Sequence, residues 1–208
     1  MRNISTTLLY KLIVVSVLLL ISVGCSDHKK EDAAAFKEGI AAYTKGDYGV
    51  ALEKFKALAD RGNSDAQFNL GVMYKQGKGV PADDQKAIEW WTKAADQGNN
   101  AAAQSSLGLL YRQGKGVPAD DKQAVSYWSK AAEQGHTMSQ MYLGIMYAQG
   151  LGIAQDNVQA YKWFSISAGN GNQAAAQNLN TVTLHMNSAQ IEQGKTLTQK
   201  WLADHPRK

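Results

Sequence analysis

Residues 107–135 have the sequence LGLLYRQGKGVPADDKQAVSYWSKAAEQG, and the chain carries the same pattern on both sides of this segment. The opening Leu-Gly-x-x-Tyr begins at Leu70, Leu107 and Leu143, so the copies are 37 and 36 residues apart. A glycine loop, an Asp, an Ala, an aromatic residue and a closing Gly follow in the same order each time. Agreement at so many positions over three consecutive copies indicates one repeated structural unit.

Each copy is typical of two helices joined by a glycine-rich loop. In the first segment Leu107, Gly108 and Tyr111 fall on one helical face. The second segment follows an Asp that we predict to be its N-cap: Asp83, Asp120 or Asp156. A Gln three residues later predicts a capping box in two copies, at Gln123 and Gln159. The closing glycines are expected to take the left-handed conformation that ends a helix: Gly98, Gly135 and Gly171.

This pattern resembles the Sel-one-like (SLR) repeat, a relative of the tetratricopeptide repeat, over about residues 33–202. The resemblance implies an all-α, right-handed α-solenoid of nine or ten helices. Residues 33–64 resemble a shorter, tetratricopeptide-like first unit, and residues 65–172 contain three SLR repeats (65–100, 101–136 and 137–172). Residues 173–208 are predicted to form a partial repeat and a C-terminal capping helix.

The N-terminus has the features of a bacterial export signal. Residues 1–24 contain Arg2 and Lys11, followed by a 12-residue apolar run that is shorter than the roughly 20 residues a membrane-spanning helix needs. Cys25, the only cysteine, directly follows and resembles the lipidated residue of a lipobox, although Ser22 stands where Leu is commonest. We therefore predict a lipidated Cys25 with a tether to residue 32. An uncleaved membrane anchor and a non-lipid signal with an incidental thiol remain open alternatives. Ser26 after the cysteine implies an outer-membrane lipoprotein facing the periplasm, with the inner membrane as the alternative.

Composition and motifs argue against several kinds of function. The formal net charge is +4, but residues 31–206 hold 16 basic and 17 acidic side chains, so no nucleic-acid-binding face is indicated. The four histidines are scattered, a single Cys allows no multi-cysteine metal site, and the glycine loops lack phosphate-loop spacing. The only Ser-x-x-Lys begins at Ser26, beside the predicted anchor. We expect no catalytic residues, metal or cofactor.

The resemblance also implies a surface for a protein partner. The tetratricopeptide groove positions correspond here to Phe36, Ile40, Lys45, Phe68, Val72, Lys75, Ser105, Leu109, Arg112, Met141, Ile145 and Gln149. The apolar row Ile40, Val72, Leu109 and Ile145 is equally consistent with core packing and with a contact surface. Lys45, Lys75 and Arg112 would form a mildly basic edge that could pair with an acidic partner.

Three functions follow from the resemblance. The first is an immunity protein, tethered in the periplasm, that binds and neutralises a secreted antibacterial phospholipase of a type VI secretion system. A compact array suits a binder with one dedicated partner and favours this function. The second is a scaffold or adaptor lipoprotein for envelope or secretion-machinery assembly. The third, a penicillin-interactive or cell-wall enzyme, is disfavoured because the sequence lacks the paired cysteines of such relatives and a nucleophile motif.

Overall fold

A computed structural model describes residues 29–206, where all regular secondary structure is helical, as predicted. The helices of this part of the chain are α1 (29–45), α2 (Tyr48–Asp60), α3 (Ser64–Gln76), α4 (Asp84–Asp96), α5 (Ala101–Gln113), α6 (Asp121–Glu133), α7 (Thr137–Gln149), α8 (Asn157–Gly169), α9 (Gln173–Thr183) and α10 (Ser188–Asp204). The predicted export signal, Cys25 and the first residues of the tether lie outside the described residues.

The helices pack in consecutive pairs and form the predicted α-solenoid. The most extensive contacts join α3 to α4, α5 to α6 and α7 to α8, and each of these pairs is one repeat. Further contacts between α2 and α3, α4 and α5, α6 and α7, and α8 and α9 stack each unit on the next. The loop between α1 and α2 contains only residues 46–47, whereas residues 77–83 join α3 to α4. The shorter loop agrees with the tetratricopeptide-like spacing of the first unit.

A glycine in the first helix of each repeat lies against an aromatic ring of the second helix. A Cβ atom at Gly108 would lie 2.5 Å from Trp128 Nε1, and one at Gly144 would lie 2.6 Å from the Phe164 ring. Gly71 meets Trp91 in the same way. The Trp128 indole also donates a hydrogen bond to the Ser105 carbonyl at 3.2 Å. Glycine is therefore required because the ring occupies the space of its side chain, which outweighs the loss of helix propensity.

A ladder of buried glutamines, which the sequence analysis did not identify, connects each repeat to the preceding unit. The side-chain amides of Gln67, Gln104 and Gln140 donate to the carbonyls of Ala59, Ala95 and Ala132, each at 3.2 Å. These glutamines are almost fully buried. A buried amide needs a partner, and these bonds supply one across each junction.

The predicted caps are only partly confirmed. Asp83, Asp120 and Asp156 each accept hydrogen bonds from backbone N–H groups of the following helix, as N-caps do. The reciprocal bond of a capping box is not formed at Gln123 or Gln159, so that prediction was wrong. Among the described helices, both halves of the box occur at α10, between Asn187 and Gln190.

One closing glycine does not have the predicted conformation. Gly135 and Gly171 take positive φ angles of 85° and 89°, as expected, but Gly98 does not. The loop between α4 and α5 has four residues, one more than the loop between α6 and α7, and Asn99 takes the left-handed conformation with φ of 49°. The extra residue explains the 37-residue step and moves the left-handed position one place along the chain.

The two ends of the described array differ from the repeats. Residues 29–32, assigned to the tether from sequence, are helical in α1, and Asp32 pairs with Arg61 at 2.6 Å. At the other end α10 packs mainly on α8. The Trp201 indole donates to Glu133 of α6 at 2.7 Å, which fixes the end of α10. In residues 29–206 no helix combines the length and the apolar character needed to cross a bilayer.

Candidate functional site

The apolar row predicted at the binding surface is exposed at two positions and half-buried at the other two. Ile40 is 38% exposed and Leu109 is 37% exposed, while Val72 and Ile145 are half-buried. The row thus serves both roles considered from the sequence. It contributes to the core at Val72 and Ile145, and it offers contact surface at Ile40 and Leu109.

The remaining predicted residues occupy different environments. Phe36, Phe68 and Ser105 are half-buried, whereas Lys45 and Gln149 are exposed. Met141 is only 7% exposed and packs with a buried cluster that includes Phe164 and Val182. We therefore exclude Met141 from the candidate surface. Its helical spacing from Ile145 is correct, but α8 and α9 cover it.

The predicted basic edge is largely neutralised by ion pairs within the repeats. Lys75 Nζ lies 2.8 Å from Asp84 Oδ1, and Arg112 Nε lies 3.5 Å from Asp121 Oδ1. Each pair joins the end of a first helix to the start of the second helix of the same repeat. Because these charges are already paired, they offer an acidic partner less attraction than the sequence suggested.

A groove lies between α3, α5 and α7 and brings three of the predicted residues together. Phe68, Ser105 and Leu109 line a cavity of about 260 Å³ with five residues that the sequence analysis did not identify: Ala102, Ser106, His136, Met138 and Tyr142. Met138 is 43% exposed, although it is a large apolar side chain. We call these eight residues the first-helix groove. Exposed apolar side chains gathered in a groove are suited to binding another protein.

A second cavity, of about 450 Å³, lies between α7, α8 and α9. Two of the predicted residues, Ile145 and Gln149, line this cavity. Polar residues of α8 and α9 also line it. Within residues 29–206, no group of three or more His, Cys, Asp or Glu side chains is placed to hold a metal ion.

His136 lines the first-helix groove and also caps α7. Its Nδ1 accepts a hydrogen bond from the Ser139 backbone N–H at 3.3 Å. A protonated ring could not accept this bond, and burial lowers the pKa of His136. Asparagine caps the equivalent helix in three other units: Asn63 for α3, Asn100 for α5 and Asn172 for α9.

We predict that His136 makes the array less stable in mild acid. The folded-state pKa is lowered, so the unfolded chain binds the proton more readily, and stability falls as the pH drops below the unfolded value of about 6.5. His136→Asn restores the cap found elsewhere and should reduce this pH dependence. Urea unfolding of both proteins over a pH series measures the difference. Parallel stability curves would contradict the assignment.

Comparisons with known proteins agree with the repeat pattern. The family model described as Sel1 repeat matches residues 64–99, 101–136 and 137–172. A Sel1 repeat protein from Oxalobacter formigenes is 37% identical in sequence and matches the structure with a TM-score of 0.60. The match covers 62% of this chain and 97% of that protein's chain. A second match is c5321, a protective antigen of uropathogenic Escherichia coli that has an SLR fold. It is 31% identical in sequence and matches the structure with a TM-score of 0.53. The match covers 86% of this chain and 47% of that protein's chain.

Curated relatives match over shorter segments. An exopolysaccharide production negative regulator of Rhizobium leguminosarum is 35% identical over 63 residues, which are 30% of this chain and 24% of that protein. A Sel1-like repeat protein of Acanthamoeba polyphaga mimivirus is 51% identical over 47 residues, 23% of this chain and 8% of its own length. The matched segments thus span a quarter or less of these two proteins.

Proposed function

The chain belongs to the Sel1 repeat family, and we propose that it is a non-catalytic, membrane-tethered periplasmic protein that binds another protein through the first-helix groove. The observation that carries the proposal is the exposure of Leu109 and Met138 beside half-buried Phe68 and Tyr142. The groove is supported by the glycine–aromatic contacts and the glutamine ladder. A partner therefore meets a surface that needs little ordering, which favours affinity.

Within this class we propose an immunity protein that neutralises a secreted antibacterial phospholipase delivered by type VI secretion. An enzyme that takes lipid chains from a bilayer needs an apolar entrance to its active site. The exposed apolar side chains of the first-helix groove are complementary to such an entrance. A lipid anchor at Cys25 would hold the groove near the membrane on which the phospholipase acts.

The binding test replaces the two exposed apolar residues of the groove. The double variant Leu109→Glu and Met138→Glu should weaken binding to the cognate phospholipase at least about 30-fold, because loss of a hot spot costs about 2 kcal/mol or more. Isothermal titration calorimetry measures the affinity, and survival of cells exposed to the toxin measures protection. Arg112→Glu would be a less specific variant because it also breaks the ion pair with Asp121.

Val50→Glu is the matched control, since Val50 is 51% exposed but lies on α2, away from the groove. This variant should bind and protect like the wild type. A folded double variant that binds and protects as well as the wild type would refute the groove as the binding surface. If the groove binds an envelope-assembly protein and no phospholipase, the adaptor function replaces the immunity function.

A further inference from the structure

The third repeat lacks an ion pair that the first two repeats have at the same place. Lys75 pairs with Asp84 in the first SLR repeat and Arg112 with Asp121 in the second. The equivalent positions in the third repeat are Ala148 and Asn157. The end of α7 and the start of α8 therefore carry neither charge, and the space of the long basic side chain is left open.

An aromatic residue of α7 that packs on the second repeat has a smaller equivalent in α9. In the second repeat Tyr142 of the following helix stacks on Trp128, with ring centroids 4.8 Å apart. The residue equivalent to Tyr142 one repeat later is Asn178, near Phe164. Together the three smaller or neutral residues Ala148, Asn157 and Asn178 open the cavity of about 450 Å³ between α7, α8 and α9.

The lining of this cavity includes polar side chains but no Asp, Glu, Lys or Arg. Gln149, Gln155, Asn157 and Asn178 contribute carboxamides, and His185 contributes an imidazole. The Gln155 carboxamide donates a hydrogen bond to the Ala148 carbonyl at 2.9 Å. Within residues 29–206, the carboxamides of Gln149, Asn157 and Asn178 make no hydrogen bond to another group of the protein. Each carboxamide can donate and accept, as a peptide group can. We call this cavity the amide pocket.

We infer that the amide pocket binds an uncharged peptide segment of the protein partner, through its backbone and a carboxamide or hydroxyl side chain. The inference rests on the proposed function, in which the partner is a protein. A charged side chain is disfavoured because the pocket would remove it from water without an opposite charge to pair with. A glycan is disfavoured because Phe164, the aromatic residue lining the pocket, is buried and offers no open face for a sugar ring.

The test uses three capped tripeptides, acetyl-Ala-X-Ala-amide with Asn, Asp or Lys as X, and the full-length protein. Chemical-shift changes of the side-chain amides of Gln149, Asn157 and Asn178 are followed by NMR, at a pH above the titration range of histidine. The Asn peptide should give saturable shifts at these groups. The Asp and Lys peptides should bind at least tenfold more weakly.

The second repeat shows which substitutions should close the amide pocket. Ala148→Arg combined with Asn157→Asp rebuilds the ion pair of Arg112 and Asp121, and should lower the affinity for the Asn peptide at least tenfold. Asn178→Tyr, which rebuilds the residue equivalent to Tyr142, should act in the same direction and serves if the double variant does not fold. The matched control, Arg112→Ala with Asp121→Asn, removes the ion pair of the second repeat and should leave the shifts unchanged.

Several results would overturn the inference. They are the absence of saturable shifts with the Asn peptide, equal or tighter binding of the Asp or Lys peptide, and unchanged binding in a folded Ala148→Arg, Asn157→Asp variant. Saturable binding of a chito-oligosaccharide at the same amides, without peptide binding, would assign the pocket to a glycan instead. The peptide titration involves no phospholipase, so its failure is distinguishable from failure of the proposed function, which is measured on Leu109 and Met138.

Discussion

Trp128→Ala is expected to lower the free energy of unfolding by about 3–5 kcal/mol, the usual cost of truncating a fully buried large aromatic side chain. Trp128 is 2% exposed and fills the space above Gly108. Its ring also stacks on Tyr142 of the next repeat, so the substitution leaves a cavity between two repeats. Because neighbouring repeats stabilise one another, the loss should shift the unfolding of the whole array. Urea unfolding followed by circular dichroism measures it.

Trp128→Phe is the control, since the third repeat has phenylalanine at the equivalent position. A phenyl ring keeps the contact with Gly108, but it removes the indole hydrogen bond to the Ser105 carbonyl, which is worth about 1 kcal/mol, and some ring volume. Trp128→Phe should therefore be clearly less destabilising than Trp128→Ala. A negligible shift of the unfolding midpoint in Trp128→Ala would place the residue outside the core and contradict the repeat alignment.

The contacts within each repeat could be predicted from the sequence because the residues that form them recur at the same position of every repeat. A glycine in the middle of a helix lowers helix propensity, so its repetition at Gly71, Gly108 and Gly144 points to a close approach by another helix. The structure identifies the approaching group as the aromatic ring of the second helix. The capping role of Asp120 was predictable for the same reason, since it depends on local sequence.

Contacts between repeats were less predictable because they depend on how successive units stack. Gln104 was not identified, since a glutamine in a helix is usually exposed. Its burial is explained by hydrogen bonds to the Ala95 carbonyl and the Asn99 side chain, and by one that it accepts from Gln134. Met141 has the helical spacing of a groove residue, but α9 covers it. Conversely, Met138 lies in the first turn of α7, outside the groove positions of the tetratricopeptide pattern, yet it remains exposed beside Leu109.

The ion pairs of the basic residues at the groove edge were also not predictable from the sequence. The sequence placed Lys75 and Arg112 at the groove edge, but it did not reveal that each residue has an acidic partner in its own repeat. The partners follow about nine residues later, across a loop whose path sets the distance. The ion pair occurs in two repeats and is absent from the third, which has Ala148 and Asn157 at the equivalent positions. Only the structure shows that a cavity lies at this place.

Cys25→Ser is expected to abolish fatty-acid labelling and to convert the protein to a soluble or unprocessed form. The apolar run before Cys25 has 12 residues, fewer than a spanning helix requires, so attachment would depend on the lipid. Each buried methylene of an acyl chain contributes about 0.8 kcal/mol, and two or more chains give a stable anchor. Metabolic labelling with a radioactive fatty acid, followed by membrane fractionation, measures both effects.

Ser26→Ala is the matched control, because it changes the neighbouring residue and keeps the thiol. This variant should be labelled and should remain in the membrane fraction. A wild-type protein that never incorporates fatty acid would refute the lipid anchor, and the mass of the N-terminus would then distinguish an uncleaved segment from cleavage without lipid. An unlabelled but functional protein would also remove the argument that the groove is held near the membrane. The partner would then have to be sought without assuming a lipid-directed enzyme.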